Sequence, residues 1–174
     1  AAEIMDRRHL ARLVARSWQG FADRWLPRGC ALCDATLGPA EQGLCEPCLE
    51  ALPGRTVPRC PRCGLASAGA AGIPAGAAQC AACLRAPPPF ERTLVLADYA
   101  APIDRLVRAL KFGGELALAG ALGARMAPLL QASGWRADAL VPIPLGAARI
   151  ATRGFNQSAA IAHAVGRRLG LPVR

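Results

Sequence analysis

Cys30-Ala31-Leu32-Cys33, Cys45-Glu46-Pro47-Cys48, Cys60-Pro61-Arg62-Cys63 and Cys80-Ala81-Ala82-Cys83 are the stretches that decide how this chain folds. They hold all 8 cysteines of the 174-residue sequence. A Cys-x-x-Cys pair sets two sulfurs on one tight turn, facing the same point in space. Two such turns close a tetrahedral four-sulfur site with metal–sulfur bonds of about 2.3 Å. Four pairs therefore predict two Zn2+ ions, held by Cys30, Cys33, Cys45, Cys48, Cys60, Cys63, Cys80 and Cys83. No ligand position is left for water, so the ions are read as structural rather than catalytic. Sequential pairing, first with second and third with fourth, closes the shorter loops; interleaved pairing is the alternative. A disulfide scaffold would use the same residues, but the sequence shows no charged-then-apolar leader of a secreted chain. A redox dithiol needs fewer than four pairs.

Outward from the cysteines, residues 27–90 carry most of the prolines and no long periodic segment. Such a stretch is expected to bury little apolar area and to depend on metal for its order. Gly64, directly after the third pair, suits a knuckle that requires positive φ. Residues 64–79 read as a Gly/Ala loop and Pro87-Pro88-Pro89 as a stiff connector. Residues 1–26 read as an amphipathic helix. Leu10, Leu13, Val14, Trp18, Phe21 and Trp25 form its apolar stripe, and five arginines cover most of the other face. It either docks on the body of the protein or lies on acidic lipid or in a partner's groove.

From Glu91 the pattern becomes α/β, which makes residues 91–174 a third unit. Thr93–Tyr99 reads as a strand. Pro102 opens a helix carrying Ile103, Leu106, Val107 and Leu110, stopped by Gly113-Gly114. A second helix covers about 115–131, with Leu118, Leu122, Met126 and Leu129 or Leu130 inward. Ala139–Ile143 reads as a short buried strand and 144–155 as a loop. Asn156 caps a helix over about 157–169, closed by Gly170 and Pro172. Leu171–Arg174 reads as the start of another strand. Two strands and the beginning of a third are too few for a finished sheet, so the expectation is part of a larger protein.

The charge narrows the partners. Lys and Arg number 21 against 12 Asp and Glu, a formal +9, and Lys111 is the sole lysine. Two Zn2+ sites of four thiolates each would bring this to about +5. The balance favours anionic partners. No apolar run approaches the ~18 residues of a membrane span, and the expected location is cytoplasmic. The segment Val141-Pro142-Ile143-Pro144-Leu145-Gly146-Ala147-Ala148-Arg149-Ile150-Ala151-Thr152-Arg153-Gly154-Phe155-Asn156-Gln157 runs from a strand's carboxyl end through a loop to a helix start. Ligands of open α/β sheets bind there. A helix start suits phosphate, Arg149 and Arg153 offer bidentate contacts, and Gly154 lets backbone approach a ligand. From residue 139 onward there are arginines but no acidic residue. An ordinary capped helix with solvated arginines is the plainer reading of the same residues.

Taken together, the Cys-x-x-Cys pairs, "ALPGRTVPRCPRCG", "LKFGGELALAGALG" and "VPIPLGAARIATRGFNQS" resemble the ComF family, from about Cys30 to Arg174. The resemblance implies an α/β fold: a double zinc ribbon followed by the N-terminal part of a type I phosphoribosyltransferase-like domain, here preceded by the amphipathic helix. It implies that Arg149, Arg153, Gly154, Asn156 and Gln157 lie where such folds hold the pyrophosphate of phosphoribosyl pyrophosphate, with Mg2+ as a further cofactor of the whole protein. Lys111, in "LKFGG", would face the same anion or complete a helix end. The family's association with natural competence implies single-stranded DNA and helicase-like competence proteins as partners. The family's paired-Asp, Thr-Thr-Gly ribose-phosphate motif does not occur in these residues, so the chain by itself is expected not to catalyse phosphoribosyl transfer. Two other functions are carried forward: a phosphoribosyltransferase of nucleotide metabolism, and a structural adaptor.

Overall fold

In a computed structural model, residues 28–52, 58–66 and 79–174 are described. The helix expected over 1–26 and most of the Gly/Ala loop lie outside them. The described residues form six helices: α1 (Glu46–Glu50), α2 (Ala81–Arg85), α3 (Ile103–Phe112), α4 (Ala117–Ala132), α5 (Ala147–Arg153) and α6 (Gln157–Leu169). Strand pairing among them is confined to three isolated bridges: Gly29 with Thr36, Arg59 with Ala66, and Leu140 with Val173.

The cysteine-rich part is one motif used twice. In the first copy Cys30 N–H donates to Ala35 O at 2.8 Å and Asp34 N–H to Cys30 O at 2.9 Å. In the second, Cys60 N–H donates to Leu65 O at 2.9 Å and Gly64 N–H to Cys60 O at 2.8 Å. Each turn needs a left-handed residue just after its second cysteine. Gly64 supplies it at φ 76°, as read from the sequence, and Asp34 supplies it in the other copy at φ 58°; Asp is among the few side chains that tolerate that region. The second half of each copy is a short helix that starts immediately after a cysteine, α1 after Cys45 and α2 after Cys80, with the same extended backbone at both caps (φ −71°, ψ 157°). Glu41 braces the first copy: its carboxylate accepts from Gly38 N–H and Glu46 N–H, each at 2.6 Å, and these bonds hold its pKa below the usual value.

The two copies differ in what lies beneath them. Cys30, Leu44, Cys45 and Leu52 of the first share one core with Ile103, Leu106 and Leu110 of α3 and Leu118, Ala119, Ala121 and Leu122 of α4. Leu44, Leu106, Leu110 and Leu118 are fully buried, each contributing about 2 kcal/mol of transfer free energy. The expectation that residues 27–90 bury little apolar area is thus corrected for the first copy. Gly43 allows that docking: a side chain there would come within 2.9 Å of the Leu118 backbone. The second copy has a core of Cys60, Cys80 and Cys83, with half-buried Cys63 against it and no aliphatic side chain. It is tied down by polar contacts instead. Thr93 N–H donates to Pro61 O and its hydroxyl to Arg62 O, at 2.8 and 2.6 Å. Arg62 donates to Pro88 O at 2.8 Å, and Arg59 pairs with Asp98 at 2.7 Å.

These contacts correct the strand expected over Thr93–Tyr99. Its polar groups are turned onto the second knuckle, no described strand lies beside it, and Leu96 and Ala97 rest on the first core. The helices follow the sequence reading more closely. α3 buries Ile103, Leu106 and Leu110, and α4 buries Leu118 and Leu122. α4 continues through Pro128, whose ring faces solvent. α6 begins at the cap read from the sequence: Asn156 Oδ1 accepts from Ser158 N–H at 2.9 Å and Ala159 N–H at 3.4 Å. It ends at Gly170. Ala139–Ile143 is not a buried strand. Leu140 alone pairs, in parallel, with Val173, and Val141 and Ile143 are 77% and 76% exposed because no described element covers them. The segment 144–155, read as a loop, contains the seven-residue helix α5.

α4 and α6 pack closely because Gly123 meets Ala164. A Cβ on Gly123 would lie 2.6 Å from the Ala164 Cβ. Gly123→Val should therefore force the two helices apart and destabilise the fold by about 2 kcal/mol, measured as a lower midpoint in urea at unchanged zinc content.

Candidate metal centres and basic loop

The eight thiols gather into two groups, Cys30, Cys33, Cys45 and Cys48, and Cys60, Cys63, Cys80 and Cys83. Within each group all sulfurs lie within 4.8 Å of one another. This is the sequential arrangement, and the interleaved alternative is set aside. The spacing tests the choice of metal. A tetrahedron with arms of about 2.3 Å has edges of about 3.8 Å. Cys33 and Cys45 Sγ are 3.6 Å apart, and Cys63 and Cys80 Sγ 3.7 Å. All eight cysteines are free of disulfides. Two four-cysteine clusters of this size fit two structural zinc ions. Among the described residues no cluster of three or more acidic side chains gathers for Mg2+.

The turns also prepare the sulfurs for a cation. Burial pushes the Cys30 thiol up, but the backbone N–H groups of Cys45, Leu32 and Cys33 outweigh it and bring the pKa down to about 6. Cys60 behaves alike: burial raises it, and the N–H groups of Cys63, Cys80 and Arg62 lower it to about 6. Cys80 N–H reaches Cys60 Sγ at 3.4 Å. Cys48 and Cys83, by contrast, resist ionising. Sulfur contacts from Cys33 and Cys45 push Cys48 up, and burial together with Cys63 and Cys80 raises Cys83 to about 12. A divalent cation at the centre would offset that cost and hold these sulfurs as thiolates.

The second candidate site is the arginine loop. α5 carries Arg149 and Arg153 one turn apart, and Gly154 ends the helix at φ 78°. Asn156 closes the loop on both sides, donating from Nδ2 to Ile143 O at 3.0 Å while its oxygen caps α6. That cap already occupies the N–H groups of Ser158 and Ala159. Gln157 accepts from Arg153 at 2.9 Å. The Arg153 guanidinium also lies over the Phe112 ring, 5.1 Å from its centre. Lys111 precedes Phe112 in the last turn of α3. The structure thus brings the "LKFGG" and "RGFNQ" segments together through Phe112 and Arg153. Arg149 is exposed and has no ion pair among the described residues. The sequence reading did not single out Phe112; its signal was an aromatic residue placed between a lysine and a Gly-Gly helix stop.

Residues 21–84 match the double zinc ribbon domain family. The chain is 36% identical over 142 residues to the DNA utilization protein YhgH of Salmonella typhimurium, an alignment covering 76% of this chain and 58% of that protein. The corresponding protein of Escherichia coli strain K12 is also 36% identical, with the same coverage. Competence protein F of Haemophilus influenzae is 26% identical, over 82% of this chain and 61% of that protein. These relatives and the zinc ribbon match bear out the resemblance to the ComF family. The chain spans about three fifths of the length of these relatives. No solved structure matches it. The chain carries a double zinc ribbon with helices and little strand; among its described residues no helix is long and apolar enough to cross a membrane.

Native mass spectrometry of the zinc-loaded protein should show two Zn2+, and one each in Cys45→Ser and Cys80→Ser. Cys80→Ser should lose amide protection only around the second knuckle, whereas Cys45→Ser should also lower the melting temperature of the helices that share its core. Zinc uptake at pH 7.5, followed with a proton-sensitive dye, should release fewer than four protons per ion, because Cys30 and Cys60 titrate below that pH.

Proposed function

We propose that this ComF-type chain is a zinc-stabilised DNA-handling protein that assists uptake or processing of single-stranded DNA and binds phosphorylated ligands at the arginine loop. The observation that carries the reading is the contact of Arg153 with Phe112, which joins the helix bearing Arg149 and Arg153 to the end of the helix bearing Lys111, in a chain with formal charge +9 and no acidic residue beyond position 138. Guanidinium groups bind phosphate oxygens in pairs, and Arg153 is already oriented by Gln157. The capped start of α6 leaves fewer backbone donors for an anion, so side chains carry most of the contact. The names of the relatives, DNA utilization protein and competence protein F, point the same way. Helicase-like competence proteins are the protein partners that fit this role.

A phosphoribosyltransferase-like role in the longer relatives is the second reading. It is favoured by the parallel pairing of Leu140 with Val173 across α5 and α6, a strand–helix–strand unit of the kind that builds open α/β sheets. In that reading the loop holds the pyrophosphate of phosphoribosyl pyrophosphate, with Mg2+ in the complete protein. Fluorescence anisotropy with a labelled single-stranded 12-mer decides the first reading: binding should fall steeply between 50 and 200 mM salt. Arg149→Ala and Arg153→Ala should each weaken it severalfold. Binding that is absent at low salt, or indifferent to salt, would overturn the DNA role. Calorimetric titration with phosphoribosyl pyrophosphate separates the two readings.

A further inference from the structure

We infer that Phe112 is a nucleobase-stacking platform, flanked by two arginine rows that take the phosphates on either side of the stacked base. This rests on the single-stranded DNA reading and adds to it the residue that recognises bases rather than backbone. Phe112 is 75% exposed at the end of α3. An aromatic ring left this open contributes nothing to the core; Leu110, two residues earlier, is buried and Phe112 is not in the cluster around it.

The surroundings of the ring supply the rest. Arg105, Arg108 and Phe112 are spaced three and four residues apart, so they share one face of α3. Both arginines are exposed and form no ion pair among the described residues. They span about 10 Å of helix axis leading up to the ring. A separate helix, α5, brings Arg149 and Arg153, again four residues apart, with Arg153 laid over the ring at 5.1 Å. The acidic residues on this part of the chain are Asp104, whose carboxylate is turned to Arg105 N–H at 2.8 Å, and Glu115, beyond the Gly-Gly stop. An open aromatic face between two cationic rows is the arrangement that binds single strands without regard to sequence: phosphates meet the cations and a base lies on the ring. A guanidinium on the ring adds cation–π attraction and offers its own plane for a further base.

The test separates stacking from charge. Because Phe112 is exposed, Phe112→Ala should keep both zinc ions and the helical circular dichroism of the parent. It should weaken binding of a labelled dT 12-mer roughly tenfold while leaving the slope of log affinity against log salt unchanged. Arg105→Ala and Arg108→Ala should each flatten that slope by about 0.7. Phe112→Trp should bind at least as tightly as the parent. An abasic 12-mer, with the same phosphates and no bases, should bind the parent and Phe112→Ala equally. If the parent binds the 12-mer and Phe112→Ala binds it as well, stacking is overturned and the DNA reading stands. If the parent does not bind at low salt, both fall.

Discussion

A thiolate held by backbone N–H groups at the bend of a Cys-x-x-Cys turn is the constraint on which the zinc ribbon depends. Each turn curls the chain so that amides point at sulfur, which lowers the cost of a negative charge in a buried place. Cys48 and Cys83 then resist ionising unless a cation lies beside them. A zinc ion would remove that cost, and the two sulfur groups have the dimensions of a tetrahedral site. The fold of residues 28–52 and 79–85 follows from it: knuckle, short helix, and a cysteine at each point where the backbone changes direction.

Much of this was legible in the sequence because it depends on local spacing. Cys-x-x-Cys fixes its own turn, Gly64 follows from the φ that the turn requires, and Asn156 caps α6 with its own side chain. The pattern of Ile103, Leu106 and Leu110 likewise declares which face of α3 is inward. What failed was reasoning about strands, and the physical cause is the same in both places. A strand is defined by the neighbour it pairs with. Thr93 finds its hydrogen-bond partners in the second knuckle, and Val141 and Ile143 have no strand alongside them among the described residues. Apolar runs such as Leu94-Val95-Leu96 signal burial, and burial can be achieved against a zinc knuckle as well as in a sheet. The first knuckle's share in the helical core was also hidden, since Leu44 and Leu52 carry no periodic signal on their own.

At the loop the sequence located the residues but not their relations. Arg149, Arg153, Gly154, Asn156 and Gln157 occupy one contiguous turn-and-helix segment. The contact that joins it to the rest runs through Phe112, far back in the chain from Arg153 and visible only once α3 and α5 are placed. A helix start read as a vacant anion site is partly filled by its own cap, because Asn156 is short enough to reach back to two amides. The cationic character of this region therefore resides in long side chains rather than in fixed amides, which suits a ligand that is extended, repetitive and irregular in shape better than a small rigid one.

The contrast between the two sulfur clusters has a consequence for the life of the protein in a cell short of metal. One cluster sits on a bed of leucine; the other, among the described residues, has a core of its own cysteines and is held by polar ties from Arg59, Arg62 and Thr93. Starvation for zinc would thus not dismantle the molecule all at once. It would first produce a half-loaded form whose helices persist while the second knuckle, between the first and the helices in sequence, opens: a distinct species for proteases and assembly partners to encounter.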